Sequence, residues 1–414
     1  MKKRLQFIIS LILVFMISLS ALVMPASSFT NDVVTSTEDM LLVNLDTHTT
    51  VFSRKPDNMW YCGYLTELMT FLIAEEELSD PTAVSVTIEQ DFIDALPYSD
   101  GCLNKFVGEK LTAQDLMGIM LMTTGSDAAY ALADLVTDGD RDTFVKMMND
   151  KAVALGMTKT NYLEPGYSDN KSHHTTCRDL MRLYLEVDKS EFYNRVMEDK
   201  SYTPAGLKEK KYTVNSQASI LNDDSPYYFR YCNDAKHSYT NETGAGIVLT
   251  TTYHGQTYFF AGLLGLNTSE KNVYSDAKKL TSWAYLNLSD RKVLDTENTM
   301  TKIKVDTGWG TYEEELVSLS SAAKTLPNDF DELLLSYKVE TPKSVKWPMF
   351  EGQGLGTATV TYDNEEIDQV DLVVTSDEGV DLLSDTARFG RYVLHQLLPQ
   401  DSVEKTTAES ETEG

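Results

Sequence analysis

Positive charge is scarce in this chain: 36 lysines and arginines stand against 63 aspartates and glutamates in 414 residues, a formal net charge of -27. That excess repels polyanions, so nucleic acid is excluded as a general partner, and most of the carboxylates read as a self-repelling, soluble surface. Cysteine is rare as well. Only Cys62, Cys102, Cys177 and Cys232 occur, and none follows the N-terminal apolar run where a lipid attachment would need one. In an exported protein four cysteines allow three complete pairings, and their spacing does not choose among them. His173, His174 and His237 come without a cysteine and carboxylate set at metal-ligand spacing. No metal and no cofactor is therefore expected, and these histidines read as structural or exposed. No internal repeat is evident.

Long apolar runs are missing except at the start. Met1-Lys-Lys-Arg4 is a positive n-region, Phe7 to Val23 is almost wholly apolar, and Met24-Pro-Ala-Ser-Ser28 supplies small residues for cleavage. Residues 1–28 read as a signal peptide cut near Ala26 or Ser28, which predicts export. The run is also long enough to cross a bilayer, so a retained anchor stays open. With 42% hydrophobic and 24% charged residues the chain is far too apolar to be disordered. At this length two domains are expected.

Several segments carry chemistry. Tyr64-Leu-Thr-Glu-Leu-Met-Thr70 places a phenol and a carboxylate one helical turn apart, at i and i+3. Leu41-Leu-Val-Asn-Leu-Asp-Thr-His-Thr-Thr-Val51 reads as a strand and turn. Gly108 to Leu116 precedes Met120-Leu-Met-Thr-Thr-Gly-Ser-Asp-Ala-Ala-Tyr130, and Leu155-Gly-Met-Thr-Lys-Thr-Asn161 and His173 to Leu180 follow. Lys236-His-Ser-Tyr-Thr-Asn-Glu-Thr-Gly244 comes last.

In this order the segments resemble the low-molecular-weight penicillin-binding proteins, the serine-type D-alanyl-D-alanine carboxypeptidases, from about residue 40 to about residue 375. The resemblance implies an α/β (α+β) penicillin-binding/β-lactamase-like transpeptidase fold followed by a small antiparallel β-domain. It also implies a Ser-x-x-Lys nucleophile and base, a Ser-x-Asn element and a Lys-Thr-Gly strand. In such enzymes the serine forms an acyl-enzyme with the penultimate D-alanine of a peptidoglycan stem peptide and the terminal D-alanine leaves. Here Tyr64 stands for the serine and Glu67 for the lysine, and Thr124-Gly125-Ser126 stands for Ser-x-Asn. Lys236 is kept, while His237 and Ser238 replace the threonine and glycine, with Thr240 nearby as a further hydroxyl.

A phenol, with a pKa near 10, is bulkier than a serine hydroxyl and would form an activated aryl ester. Glu67 removes the positive charge that helps to ionise a neighbouring hydroxyl, so a pseudoenzyme is expected. Loss of a nucleophile in well-studied serine hydrolases leaves only ~10³ to 10⁴ over the uncatalysed rate. Cys62, two residues before Tyr64, lacks a basic neighbour to lower its pKa, and a packed or disulfide-linked thiol is the better reading. Lys236 reads either as a carboxylate-binding group or as a partner for Glu67, and a Ser126–Lys236 dyad is a further alternative for an active peptidase with a non-standard nucleophile. The implied partner is a peptidoglycan stem peptide or another wall component.

Local signals fix several elements. Thr112 with Asp115, and Thr176 with Asp179, read as helix caps. Phe144, Met147, Met148 and Leu155 follow helical spacing with Gly156 at the end. Two β-rich runs, Ile247 to Tyr253 and Thr257 to Leu264, flank His254-Gly255 as a hairpin beside the strand carrying Lys236. The expected organisation is a carboxypeptidase-like domain over 29–290, a connection over 288–300 and a β-domain over 299–378 with a turn at Asp363-Asn364. Residues 380–398 read as an amphipathic helix, able to touch a membrane surface or pack on the β-domain, and 399–414 as a disordered acidic tail.

Overall fold

A computed structural model describes residues 33–375 apart from 98–100, 206, 208–211, 266–268, 307–309, 347–348 and 350–351. The signal-peptide, amphipathic-helix and acidic-tail segments lie outside the described residues. The chain divides into two compact units, one ending at Ser289 and one beginning at Asp290. Among the described residues no helix is long and apolar enough to cross a membrane.

The first unit is built on a five-stranded antiparallel sheet. Strands β1 (Asp39–Asn44) and β2 (Thr49–Arg54) come early in the chain, and β3 (Cys232–Thr240), β4 (Gly244–Tyr253) and β5 (Gln256–Leu264) come late; the spatial order is β2-β1-β5-β4-β3. The β4–β5 hairpin turns at His254 and Gly255, both with positive φ, as the sequence predicted. Strand β3 lies at the edge of the sheet, paired to β4 with Lys236 opposite Val248.

Seven helices matter for the site: α1 (Glu67–Glu77), α2 (Ala113–Met122), α3 (Ser126–Thr137), α4 (Arg141–Ala154), α5 (Cys177–Val187), α6 (Glu191–Asp199) and α7 (Glu270–Asn287). Both predicted caps form. Thr112 and Asp115 make a reciprocal capping box at the start of α2, and Thr176 Oγ1 accepts from Asp179 N at 3.0 Å ahead of α5. Gly156 takes a positive φ just past α4.

One sheet face packs on α7, where Met40, Leu42, Leu249, Tyr258 and Phe260 meet Tyr274, Ala277 and Leu280. On the other face Phe259 meets Tyr184 of α5 at a ring separation of 5.1 Å. Each fully buried large apolar side chain contributes roughly 1.5–3 kcal/mol. Helix α1 is buried from Glu67 to Ala74, so its first turn is held from every side.

The second unit carries a six-stranded sheet in the order Leu335–Glu340, Gly354–Tyr362, Glu365–Val374, Thr311–Ser318, Thr299–Asp306, Ser344–Lys346. The Asp363-Asn364 turn is present with positive φ at both residues. Two expectations need correction. The sheet is not wholly antiparallel, because Ser344–Lys346 pairs parallel with Thr299–Asp306. The polar segment 288–300 is not a plain connection: Leu288–Leu294 forms a strand paired with Ala322–Pro327, since Leu288, Val293 and Leu294 are buried and their burial outweighs the turn-forming residues between them.

Candidate active site

The chain enters the site through a 3-10 turn, Gly63–Thr66, that runs directly into α1. Gly63 has φ +53°, and a Cβ there would lie 2.1 Å from Ser238 Oγ, so only glycine fits this approach of the turn to β3. The turn is held from inside. Leu163 N donates to His173 Nδ1 at 3.0 Å, so the imidazole proton sits on Nε2, which faces Thr66 Oγ1 at 2.6 Å. Thr66 passes its own proton to Gly63 O at 2.8 Å. Burial lowers the His173 pKa to about 3, which keeps the ring neutral. His173 is thus structural, while His174 pairs with Tyr61 in a two-stranded bridge.

Tyr64 is 4% exposed, and its backbone N–H donates to Ser238 Oγ at 2.9 Å. Its ring stacks on Tyr167, with centroids 5.1 Å apart and planes at 28°. One turn on, Glu67 is fully buried and meets Lys236 at 2.5 Å. Lys236 Nζ also donates to Met120 O at 2.7 Å and Thr123 O at 2.5 Å. An ammonium has three protons to give, and here all three have acceptors. The two carbonyls belong to the C-terminal end of α2, where a cation is favoured, and Glu67 sits in the first turn of α1, where an anion is favoured. The pair therefore bolts together two helix ends of opposite polarity.

The bolt is costly. Burial pushes the Glu67 carboxyl up to about 8; the Lys236 ammonium opposes that rise and the Asp127 carboxylate adds to it. We read the pair as ionised on its geometry, since Glu67 is the one of the three acceptors at Nζ that can balance its charge, and the upward push on Glu67 comes from its burial. Glu67 Oε1 has no hydrogen-bond partner among the described residues.

The remaining motif positions are also occupied. Ser126 Oγ accepts from Tyr167 N at 2.8 Å, and Thr240 Oγ1 lies 2.8 Å from Thr243 Oγ1 and 3.3 Å from Tyr167 OH. Thr124 is drawn to another element, its N–H and hydroxyl both bonding Gln217 Oε1. His237 does not join the group: its ring lies 6.3 Å from that of Tyr274 on α7, and burial lowers its pKa to about 4. All four thiols are buried and free, so none of the three possible pairings forms. Burial pushes the Cys62 thiol up, away from nucleophilic use.

Tyr167 is the site residue that sequence reasoning missed. A lone aromatic after Pro165-Gly166 carries no spacing that ties it to position 64. A cleft of about 600 Å³ does open along β3, but at its other end, beside Asp188, Lys200, Arg230 and Asp234, and it includes none of Tyr64, Glu67, Ser126 or Lys236.

A family model described as D-alanyl-D-alanine carboxypeptidase matches residues 27–265. Curated relatives include a D-alanyl-D-alanine carboxypeptidase of Streptomyces sp., 26% identical over 259 residues that cover 59% of this chain and 85% of the relative. Another is the D-alanyl-D-alanine carboxypeptidase DacF of Bacillus subtilis, 22% identical over 370 residues that cover 88% of this chain and 92% of the relative. Among solved structures, penicillin binding protein 5 from Haemophilus influenzae superposes with a TM-score of 0.69 at 19% identity, covering 84% of this chain and 99% of its own, which shows the shared fold.

Proposed function

Because this chain belongs to the D-alanyl-D-alanine carboxypeptidase family, we propose that it is an exported, wall-associated member that keeps the family frame as a binding or scaffolding module and does not acylate. The observation that carries this reading is the ion pair of Lys236 with Glu67. With its three protons committed to Glu67, Met120 O and Thr123 O, Lys236 has none to offer a ligand carboxylate.

Acyl transfer needs a nucleophile with an adjacent base and a third group that orients the base. At the nucleophile position this chain presents a buried phenol, and the residue one turn on is an anion that uses its charge to hold a cation. Ser126, the remaining hydroxyl that would form a dyad with Lys236, takes its hydrogen bond from Tyr167 N. In this reading the partner is a wall component or wall protein that recognises the outer surface of the fold. A stem peptide whose carboxylate sought Lys236 would first have to break a buried ion pair.

The test is incubation of the purified mature chain with a fluorescent penicillin and with a peptide ending in D-Ala-D-Ala. Neither covalent labelling nor D-alanine release is expected. Labelling or release that Lys236→Ala abolishes would overturn the reading in favour of an active peptidase with a non-standard nucleophile.

A further inference from the structure

The loop Glu164–Ser168 is fastened to two helices around the site. Thr70 Oγ1 of α1 donates to Pro165 O, Tyr130 OH of α3 donates to Glu164 Oε2 at 3.0 Å, and Tyr167 N donates to Ser126 Oγ at 2.8 Å. Gly166 passes so close to α3 that a Cβ would lie 2.7 Å from Ser126 Oγ and Cβ. These contacts leave Tyr167, itself 5% exposed, with its ring on Tyr64 and its hydroxyl 3.3 Å from Thr240 Oγ1. One residue thus bridges three places: its ring meets the nucleophile position, its hydroxyl the end of β3 and its backbone N–H the Ser126 position.

We propose that Tyr167 is an internal stopper, which seals position 64 from solvent and fills the space a ligand would enter, so that access has been lost together with chemistry. This inference rests on the non-acylating reading and adds to it a specific obstacle. Four partners from α1, α3 and β3 converge on the loop, and the ring it presents is held by stacking that a flexible surface residue would lack. Restoring Tyr64→Ser with Glu67→Lys alone then leaves the site covered.

A thiol placed at position 64 reads access without any need for catalysis. The four native cysteines are buried, at 8% exposure or less, and give a low background towards a maleimide. The chain carrying Tyr64→Cys is expected to be alkylated slowly. Adding Tyr167→Ala is expected to raise the rate about tenfold or more, because a covered thiol reacts only through local opening. Tyr167→Leu serves the same purpose if the alanine variant melts too low to study, and Tyr167→Phe, which keeps the ring, is expected to stay slow. Folding of each variant is checked by its thermal midpoint and by unchanged reactivity of the native thiols. Equal rates with and without the aromatic ring would overturn the stopper and leave the absence of penicillin labelling untouched. Labelling of the unaltered chain would overturn the parent reading instead.

Discussion

Asp234 and Lys236 lie two residues apart on β3 and so share a face of the strand, yet their surroundings differ in kind. Asp234 is 6% exposed and takes its hydrogen bonds from neutral donors: Tyr184 OH at 2.9 Å, Thr250 N at 3.1 Å and Thr250 Oγ1 at 2.7 Å. Burial raises its pKa to about 6, the donors hold that rise down, and the residue borders an open cleft. Lys236 is met by a charge, in a place where Glu67 is wholly excluded from solvent and one of its oxygens has no hydrogen-bond partner among the described residues. Neutral donors satisfy a carboxylate and leave room beside it. A charge pair binds two elements together and closes the space between them, because each ion, once desolvated, depends on the other.

The largest expected effect comes from breaking the closed end. Lys236→Met leaves a buried carboxyl and two helix-end carbonyls without their donor, and is expected to cost about 3–5 kcal/mol in urea unfolding. Replacing both partners, Glu67→Met with Lys236→Met, should recover the part of that loss due to the unpaired carboxyl, since an apolar residue there needs no partner charge, while the two carbonyls stay without their donor. At the open end Thr250→Val removes a single neutral donor from Asp234 and is expected to cost about 1–3 kcal/mol. A result in which the Asp234 end proves the more sensitive would reverse the comparison.

The dependence on pH reports on the turn that leads into the closed end. Burial lowers the His173 pKa from 6.5 to about 3, so it contributes stability that is present above pH 6.5 and lost as pH falls towards 3. The urea midpoint of the unaltered chain should therefore decline over that acid range. The smallest effect is expected from Tyr167→Phe, which removes a 3.3 Å hydroxyl contact and should cost about 0.5–1.5 kcal/mol in thermal or urea unfolding.

The frame was legible in the sequence wherever its cause is local. The caps at Thr112 and Thr176, Gly156 after α4, and the turns at His254-Gly255 and Asp363-Asn364 each depend on residues within a few positions of one another. The connection at 288–300 was misread because three apolar residues, spaced among polar ones, gain more from burial than the segment's turn propensity suggests. In the site, the replacements at Tyr64 and Glu67 could be seen directly, and Lys236 could be weighed as a partner for Glu67. That they meet is a fact of tertiary structure, for 169 residues separate them and no spacing rule spans that distance. Tyr167 was not legible at all, because its role exists only once α1, α3 and β3 have converged around its loop.

The most direct measurement is the intact mass of the purified, unaltered chain after prolonged incubation with a penicillin. The closed Lys236–Glu67 pair and the phenol at position 64 lead to an unchanged mass. An adduct of one penicillin per chain, lost on Lys236→Ala in a variant shown to be folded, would contradict the account.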